Sequence, residues 1–293
     1  MSLSPDNSLT RSGIIGDAAH NRYCAVRCKC RETRRATYTL NNRGSGRWII
    51  SQVLHRLLRR ISHTLPGSCI VCGQLTNRDF SLCTECEAAL PSLGECCRHC
   101  GVDLTGGLSQ KACCASCQRR APSFDSCTAA FPYASPINRL ISDFKFSARF
   151  DIGYSLSRVL AKKVNSQYRE EDKPELLIPV PLHRRRLKSR GFNQASEICR
   201  VISSHCHIPC SHSILAKVRN TEPQTSMTSA SARKANLRAA FTVRRPAQLE
   251  GVTHIALIDD VVTTMATMEA ISRVLRDRCR CRIDVWCLAR ASR

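Results

Sequence analysis

The stretch IALIDDVVTTMATMEAISRVL, residues 255–275, decides the fold. It opens on an apolar run, reaches two adjacent carboxylates at Asp259 and Asp260, and passes through a hydroxyl-rich turn into an amphipathic segment. The run from His254 to Asp259 reads as a buried strand. Residues 267–276 read as a helix with Met268, Ile271, Val274 and Leu275 on one face. A strand whose carboxyl end feeds a helix belongs to the α/β class, in which ligands bind beyond the strand ends. Two ionised neighbours repel, so Asp259 and Asp260 need compensation. Sugar hydroxyls donating to the carboxylates, or a divalent cation, would supply it. Thr263, Thr264 and Thr267 stand where the helix begins, and the free N–H groups of a helix start attract phosphate. A ribose bearing a 5′-phosphate satisfies both halves of the stretch. Taken alone, the stretch reads equally well as a strand, turn and helix whose threonines only cap the helix.

Outward from it, the segment ELLIPVP (175–181) and the segment IDVWCLA (283–289) read as two more buried strands. Residues 137–146, 152–164 and 195–204 carry helical periodicity. Apolar strands alternating with helices predict a mostly parallel sheet with helices on both faces. After the second strand comes a basic run, with Arg184, Arg185, Arg186, Lys188 and Arg190 followed by Asn193. A solvated basic face is the ordinary fate of such a run. Its place between a strand and a helix makes it an expected anion loop, with His183 either a phosphate contact or a helix-start residue.

The chain has 293 residues, 43% of them apolar, and a net charge of +22. Residues 1–68 hold 12 basic against 3 acidic side chains, residues 69–127 hold 5 against 6, and residues 128–293 hold 28 against 14. The excess favours anionic partners such as nucleotides or nucleic acid, and it lies outside the cysteine-rich middle. Residues 1–48, rich in Arg, Ser and Asn, are expected to be a disordered basic extension. Cys24, Cys28 and Cys30 within them read as incidental. Residues 49–65 are expected to form an amphipathic helix with a basic outer face. No apolar run is long enough to span a membrane, and the start lacks the apolar core of a secretory signal. The expected location is cytoplasmic.

The 20 cysteines cluster as Cys-x-x-Cys pairs. Cys69, Cys72, Cys83 and Cys86 form one set, and Cys97, Cys100, Cys114 and Cys117 form another. Each supplies four thiolates, the complement of a tetrahedral zinc site with no position left for water. Two structural zinc ions in residues 66–120 are the expectation. CIVCGQLT (69–76) and CRHCGVDLT (97–105) repeat one another, each with a glycine after the second cysteine where the chain must turn sharply. Cys96, His99 and Cys113 stand beside the ligands as alternatives, and pairing across the two halves remains open at this point.

LIDDVVTTMAT (257–267) resembles the phosphoribosyl-diphosphate motif of type I phosphoribosyltransferases. The segment IPVPLHRRRLKSRGFNQA (178–195), above all its RGFNQ, is similar to the hallmark of the ComF/GntX-like family. YASPINRLISDFKF (133–146) and the stretch holding Thr221, Gln224, Arg233 and Asn236 resemble that family too, as does the double cysteine module ahead of them. The resemblance implies a phosphoribosyltransferase-like domain over residues 128–293. It implies that Asp259 and Asp260 hold the ribose hydroxyls, and that the loop of Val261, Thr263, Thr264, Met265, Ala266 and Thr267 wraps the 5′-phosphate. Arg184, Arg185, Lys188, Arg190 and Asn193 would face a diphosphate accompanied by magnesium. Arg219, Arg233 and Asn236 would belong to a segment closing over the acceptor. Where the family pattern has glycine, this chain has Met265. Either its side chain points away and leaves the amide free, or phosphate binding is weakened. Two functional readings follow: an enzyme of phosphoribosyl transfer, and a non-catalytic accessory of DNA uptake that holds single-stranded DNA or uptake proteins with its basic loop and zinc ribbon. A third makes the zinc module an adaptor for a partner protein.

Overall fold

The computed structural model describes residues 67–104, 113–220 and 239–292. The expected extension at 1–48, the helix at 49–65 and the acceptor segment from Thr221 to Asn236 lie outside the described residues.

Two short helices, α1 (Thr84–Ala89) and α2 (Ala115–Arg119), belong to the cysteine module. The larger part follows as β1 (Ser126–Pro132), α3 (Ile137–Phe146), α4 (Phe150–Gln167), β2 (Leu176–Pro179), α5 (Arg184–Arg190), α6 (Gln194–Cys206), β3 (Leu215–Lys217), β4 (Phe241–Val243), β5 (His254–Val262), α7 (Ala266–Arg276) and β6 (Arg282–Arg290). The main sheet has the order β1-β6-β5-β2, and every pairing in it is parallel. β3 and β4 form a separate antiparallel pair. This is the α/β arrangement that the alternating pattern predicts, and it is consistent with the phosphoribosyltransferase-like domain that the resemblance implies, with the cysteine module in front.

β5 and β6 are buried along almost their whole length, because helices cover both faces of the sheet. Alternation along β5 divides the core. Ala256 and Ile258 pack with Ile141, Leu156, Leu160, Ile198 and Trp286 on the side of α3, α4 and α6. Ile255 and Leu257 pack with Phe241, Met268, Ile271 and Leu275 on the side of α7 and the β3–β4 pair. α3 and α4 approach closely at Gly153, where a Cβ would lie 2.5 Å from the Phe144 ring.

Three features depart from the expectation. β5 runs three residues past Asp259, so the acidic pair lies inside the strand's last turn of pleat rather than after it. β1 carries no periodic apolar signal in SCTAAFP, yet it pairs with β6 as an edge strand. The basic run is a helix, α5, and not a loop. His183 is its N-cap, accepting from the Arg185 N–H, and Gly191 ends it at φ 79. Two disulfides, Cys199–Cys210 and Cys279–Cys281, lie outside the cysteine module.

Candidate functional site

The cysteine module is a structural repeat. Cys69 N–H donates to the Gln74 carbonyl and Cys97 N–H to the Val102 carbonyl, while Gly73 and Gly101 donate back to Cys69 and Cys97. Ser68 bridges to Leu75 as Cys96 bridges to Asp103. Gly73 (φ 76) and Gly101 (φ 65) both take the left-handed conformation their positions require. Gly101 also has no room for a side chain, since a Cβ would meet the Cys127 carbonyl at 3.0 Å. In each half the third cysteine, Cys83 or Cys114, stands at the N-cap position of the short helix that carries the fourth, and the Cys83 sulfur accepts from the Cys86 N–H.

This geometry brings Cys69, Cys72, Cys83 and Cys86 together, and Cys97, Cys100, Cys114 and Cys117 together, with the four sulfurs of each set within 4.8 Å of one another. A zinc–sulfur bond of about 2.3 Å in a tetrahedron puts neighbouring sulfurs about 3.8 Å apart. The sulfurs of Cys72 and Cys83 are 3.9 Å apart and those of Cys100 and Cys114 are 3.7 Å apart. Both sets are therefore compatible with structural zinc, with ligands drawn from within each half. The neighbouring alternatives are engaged elsewhere. His99 Nδ1 donates to the Asp125 carbonyl at 3.0 Å, the Cys96 thiol faces the Gly94 carbonyl at 3.5 Å, and Cys113 belongs to neither set. The first half docks on α4 through Asp79 with Arg158 and Glu87 with Lys162.

The second candidate site is a cavity of about 180 Å³ at the carboxyl ends of β2 and β5. Asp259 and Asp260 line it together with Lys145, Arg186, Arg190, Lys217 and Thr267. Adjacent strand residues point to opposite faces of a sheet, which separates the two carboxylates without removing their repulsion. Asp260 points toward α3, where Lys145 Nζ lies 3.0 Å from its Oδ1 and the Val261 N–H donates to the same oxygen. Asp259 points to the other side and accepts from the Asp260 N–H at 2.9 Å. Burial, and then the Asp260 carboxylate, push the Asp259 carboxyl up to about 8, with Lys145 and Lys217 working against them. Burial also holds the Lys217 ammonium below its usual range, with Arg186 adding to the effect. The cavity is thus a pocket of facing cations with one strained carboxyl in its floor, suited to a ligand that is polyanionic at one end and hydroxylated at the other.

No family model matches the chain. It is 35% identical over 226 residues to competence protein F of Haemophilus influenzae, covering 76% of this chain and 96% of that protein. It is 33% identical over 230 residues to the DNA utilization protein YhgH of Shigella flexneri, covering 78% of this chain and 98% of that one. A more distant relative is competence protein ComFC of Streptococcus pneumoniae, 25% identical over 227 residues, 71% of this chain and 93% of that protein. The chain belongs to the ComF/GntX-like family.

In this ComF/GntX-like chain the residues expected at the anion loop divide by helical geometry. Arg186 and Arg190 are one turn apart and line the cavity, whereas Arg184, Arg185 and Lys188 lie on the exposed face of α5. Asn193 lines the cavity, but its amide caps α6 through the Ala195 N–H and donates to the Val180 carbonyl. Of the hydroxyl turn, only Thr267 lines the cavity. Thr263 and Thr264 are exposed beyond the strand end, and Val261 is packed against the core. Met265 takes φ 62, the conformation that glycine would adopt there, and its side chain is buried with the α7 core rather than on the outer surface of the loop. Ala266 opens α7. Lys217 carries no local signal, and Lys145 enters the sequence reading only within the segment 133–146 that resembles the family, because both stand far from the acidic pair in sequence. No described helix is long and apolar enough to cross a membrane.

Proposed function

We propose that this chain binds phosphoribosyl diphosphate, or a ligand sharing its ribose 5-phosphate, in the cavity of Asp259 and Asp260. The observation that carries the reading is the pair of carboxylates, one on each face of β5, ringed by Lys145, Arg186, Arg190 and Lys217. The carboxylates accept from the ribose hydroxyls. The turn at residues 263–267 and the N–H groups of Ala266 and Thr267 at the start of α7 receive the 5′-phosphate. Arg186, Arg190 and Lys217 face the diphosphate. Magnesium is proposed as the companion of the diphosphate oxygens, since Lys145 already neutralises Asp260. In phosphoribosyl transfer a nucleophile attacks C1 as the C1–oxygen bond to diphosphate breaks, and these cations stabilise the charge gathering on the leaving group.

A pH titration of binding tests the reading. With its folded-state pKa raised to about 8, Asp259 favours folding only while protonated, and that contribution is lost as pH rises through about 8. A sugar hydroxyl donating to Asp259 selects the ionised form. Affinity should therefore climb from about pH 6 to about pH 8, approaching tenfold per unit, and then level off, with proton release seen by calorimetry in buffers of different ionisation enthalpy. A flat affinity profile without proton release would count against Asp259 as the acceptor.

The names of the relatives, competence protein and DNA utilization protein, support a role in DNA uptake or use. One observation favours a second, compatible reading in which single-stranded DNA runs across α5. Phe146 is 71% exposed, and the Arg190 guanidinium lies 5.1 Å from its ring centroid, beside the cations of α5 that face solvent. An aromatic platform flanked by cations suits stacked bases and backbone phosphates. Phe146→Ala should weaken oligothymidylate binding by roughly tenfold, and replacing Arg184, Arg185 and Lys188 should flatten its salt dependence. Fluorescence anisotropy at several salt concentrations measures both.

A further inference from the structure

Arg290, the last residue of β6, is 1% exposed and forms no ion pair among the described residues. Its Nε donates to the carbonyl of Cys100 at 2.8 Å. Its Nη1 is shared among the carbonyls of Val262 at 3.1 Å, Thr263 at 2.6 Å and Ala291 at 2.5 Å. Nη2 is buried with no hydrogen-bond partner among the described residues. Cys100 is a member of the second thiol cluster. Val262 and Thr263 are where β5 gives way to the turn before α7. One buried side chain therefore ties both sites together through their main chains.

We propose that Arg290 is a positioning residue that couples metal in the second cysteine cluster to the conformation of the loop at residues 262–267. Two physical arguments carry this. In a trans peptide the N–H points opposite to the C=O. Holding the Val262 and Thr263 carbonyls toward the guanidinium therefore turns the N–H groups of Thr263 and Thr264 away from it, as donors for an anion. The second argument is charge. A buried guanidinium with only carbonyl partners is costly. Four thiolates around one divalent ion carry a net negative charge, and Arg290 is bonded to the main chain of one of the residues that supply them, Cys100. Metal loading offsets the buried cation, fixes the fork, and so fixes the loop. Lysine cannot replace it, since an ammonium lacks the rigid planar fork that spans carbonyls from two elements. The coupling stands on geometry alone, while its use in phosphate binding rests on the ribose phosphate reading above.

Hydrogen exchange read by mass spectrometry on the ligand-free full-length protein tests it. In Cys117→Ser, which retains the first zinc, amides at 262–267 should exchange about tenfold faster than in wild type. Arg290→Gln should give the same rise while still holding two zincs, and Arg290→Lys should not restore protection. Cys72→Ser, which damages only the first cluster, should leave 262–267 unchanged. Where Cys117→Ser or Arg290→Gln also loosens β2 and α4, the rise at 262–267 must exceed the rise there, and a uniform rise overturns the coupling. Equal exchange at 262–267 in Cys117→Ser and Cys72→Ser also overturns it. Linkage is reciprocal, so saturating ribose 5-phosphate should slow zinc loss from the second cluster to a chelator by about fivefold in wild type, and not in Arg290→Gln. An intact exchange response with no effect of ribose 5-phosphate upholds the coupling and counts against the ribose phosphate reading.

Discussion

Stripping zinc from the second cysteine cluster is expected to lower the melting temperature by roughly 10 °C or more. Structural zinc contributes about 10–16 kcal/mol of binding free energy in small domains, and a cluster that loses it has little else to hold it. In the second half, Cys97 and Cys100 are buried in the same core as Phe124, Ile178 and Val285, so its loss opens the face of the sheet that α7 covers. The first half is more open: Cys72 is exposed where its counterpart Cys100 is buried, although Cys69, Phe80, Leu82 and Leu90 pack into the core beside α4, and ion pairs at Asp79 and Glu87 add little in water. A chelator should therefore remove zinc in two phases. The faster phase belongs to the first half, whose Cys72 is open to solvent, and costs less in global stability than the slower phase, which coincides with unfolding. Scanning calorimetry of Cys72→Ser and Cys97→Ser, with metal content measured on each, checks this. Equal losses of stability in the two variants would sink the asymmetry.

Asp260→Asn is expected to weaken phosphoribosyl diphosphate binding by roughly a hundredfold, about 2.7 kcal/mol. The substitution preserves shape and removes the charge that the Lys145 ammonium and the Val261 N–H converge on. A hydrogen bond to a charged group contributes about 1.5–3 kcal/mol, so losing the ionised acceptor accounts for the whole effect. Folding should suffer much less than binding, because Lys145 retains partial access to water and the Asp259–Asp260 repulsion disappears. Arg184→Ala, on the exposed face of α5, should leave the affinity within about twofold. Titration calorimetry of the three proteins separates a ribose site from a diffuse basic surface, which would respond to Arg184 as strongly as to Asp260.

Much of this arrangement was legible in the sequence because its signals are local. HIALID and IDVWCLA are continuous apolar runs, and parallel strands buried on both faces read that way. The cysteine spacing and the glycines at 73 and 101 announced the repeat, since the turn chemistry is fixed within a few residues. What stayed hidden is non-local or small. β1, SCTAAFP, has one large apolar side chain, Phe131, and owes its existence to pairing with β6. β3 and β4 have three residues each, too few for any period. The basic run looked like a loop because five cations in seven residues hide its one apolar residue, Leu187. Only its helical turn shows why Arg186 and Arg190 face inward while Arg184, Arg185 and Lys188 do not. Met265 was flagged by its position but not explained. Its left-handed backbone costs about 1–2 kcal/mol, and burial of its side chain offsets that cost. Met265→Gly removes both terms together.

In the proposed complex, the cavity over Asp259 and Asp260 holds a sugar with a phosphate at one end and cation-bound anionic oxygens at the other. Calorimetric titration of the wild-type protein with ribose 5-phosphate, and separately with phosphoribosyl diphosphate and magnesium, tests it most directly. Saturable one-to-one binding of both, tighter for the diphosphate and competitive between them, is the predicted result. Absence of heat for either ligand, or an isotherm unaltered by Asp260→Asn, would contradict it.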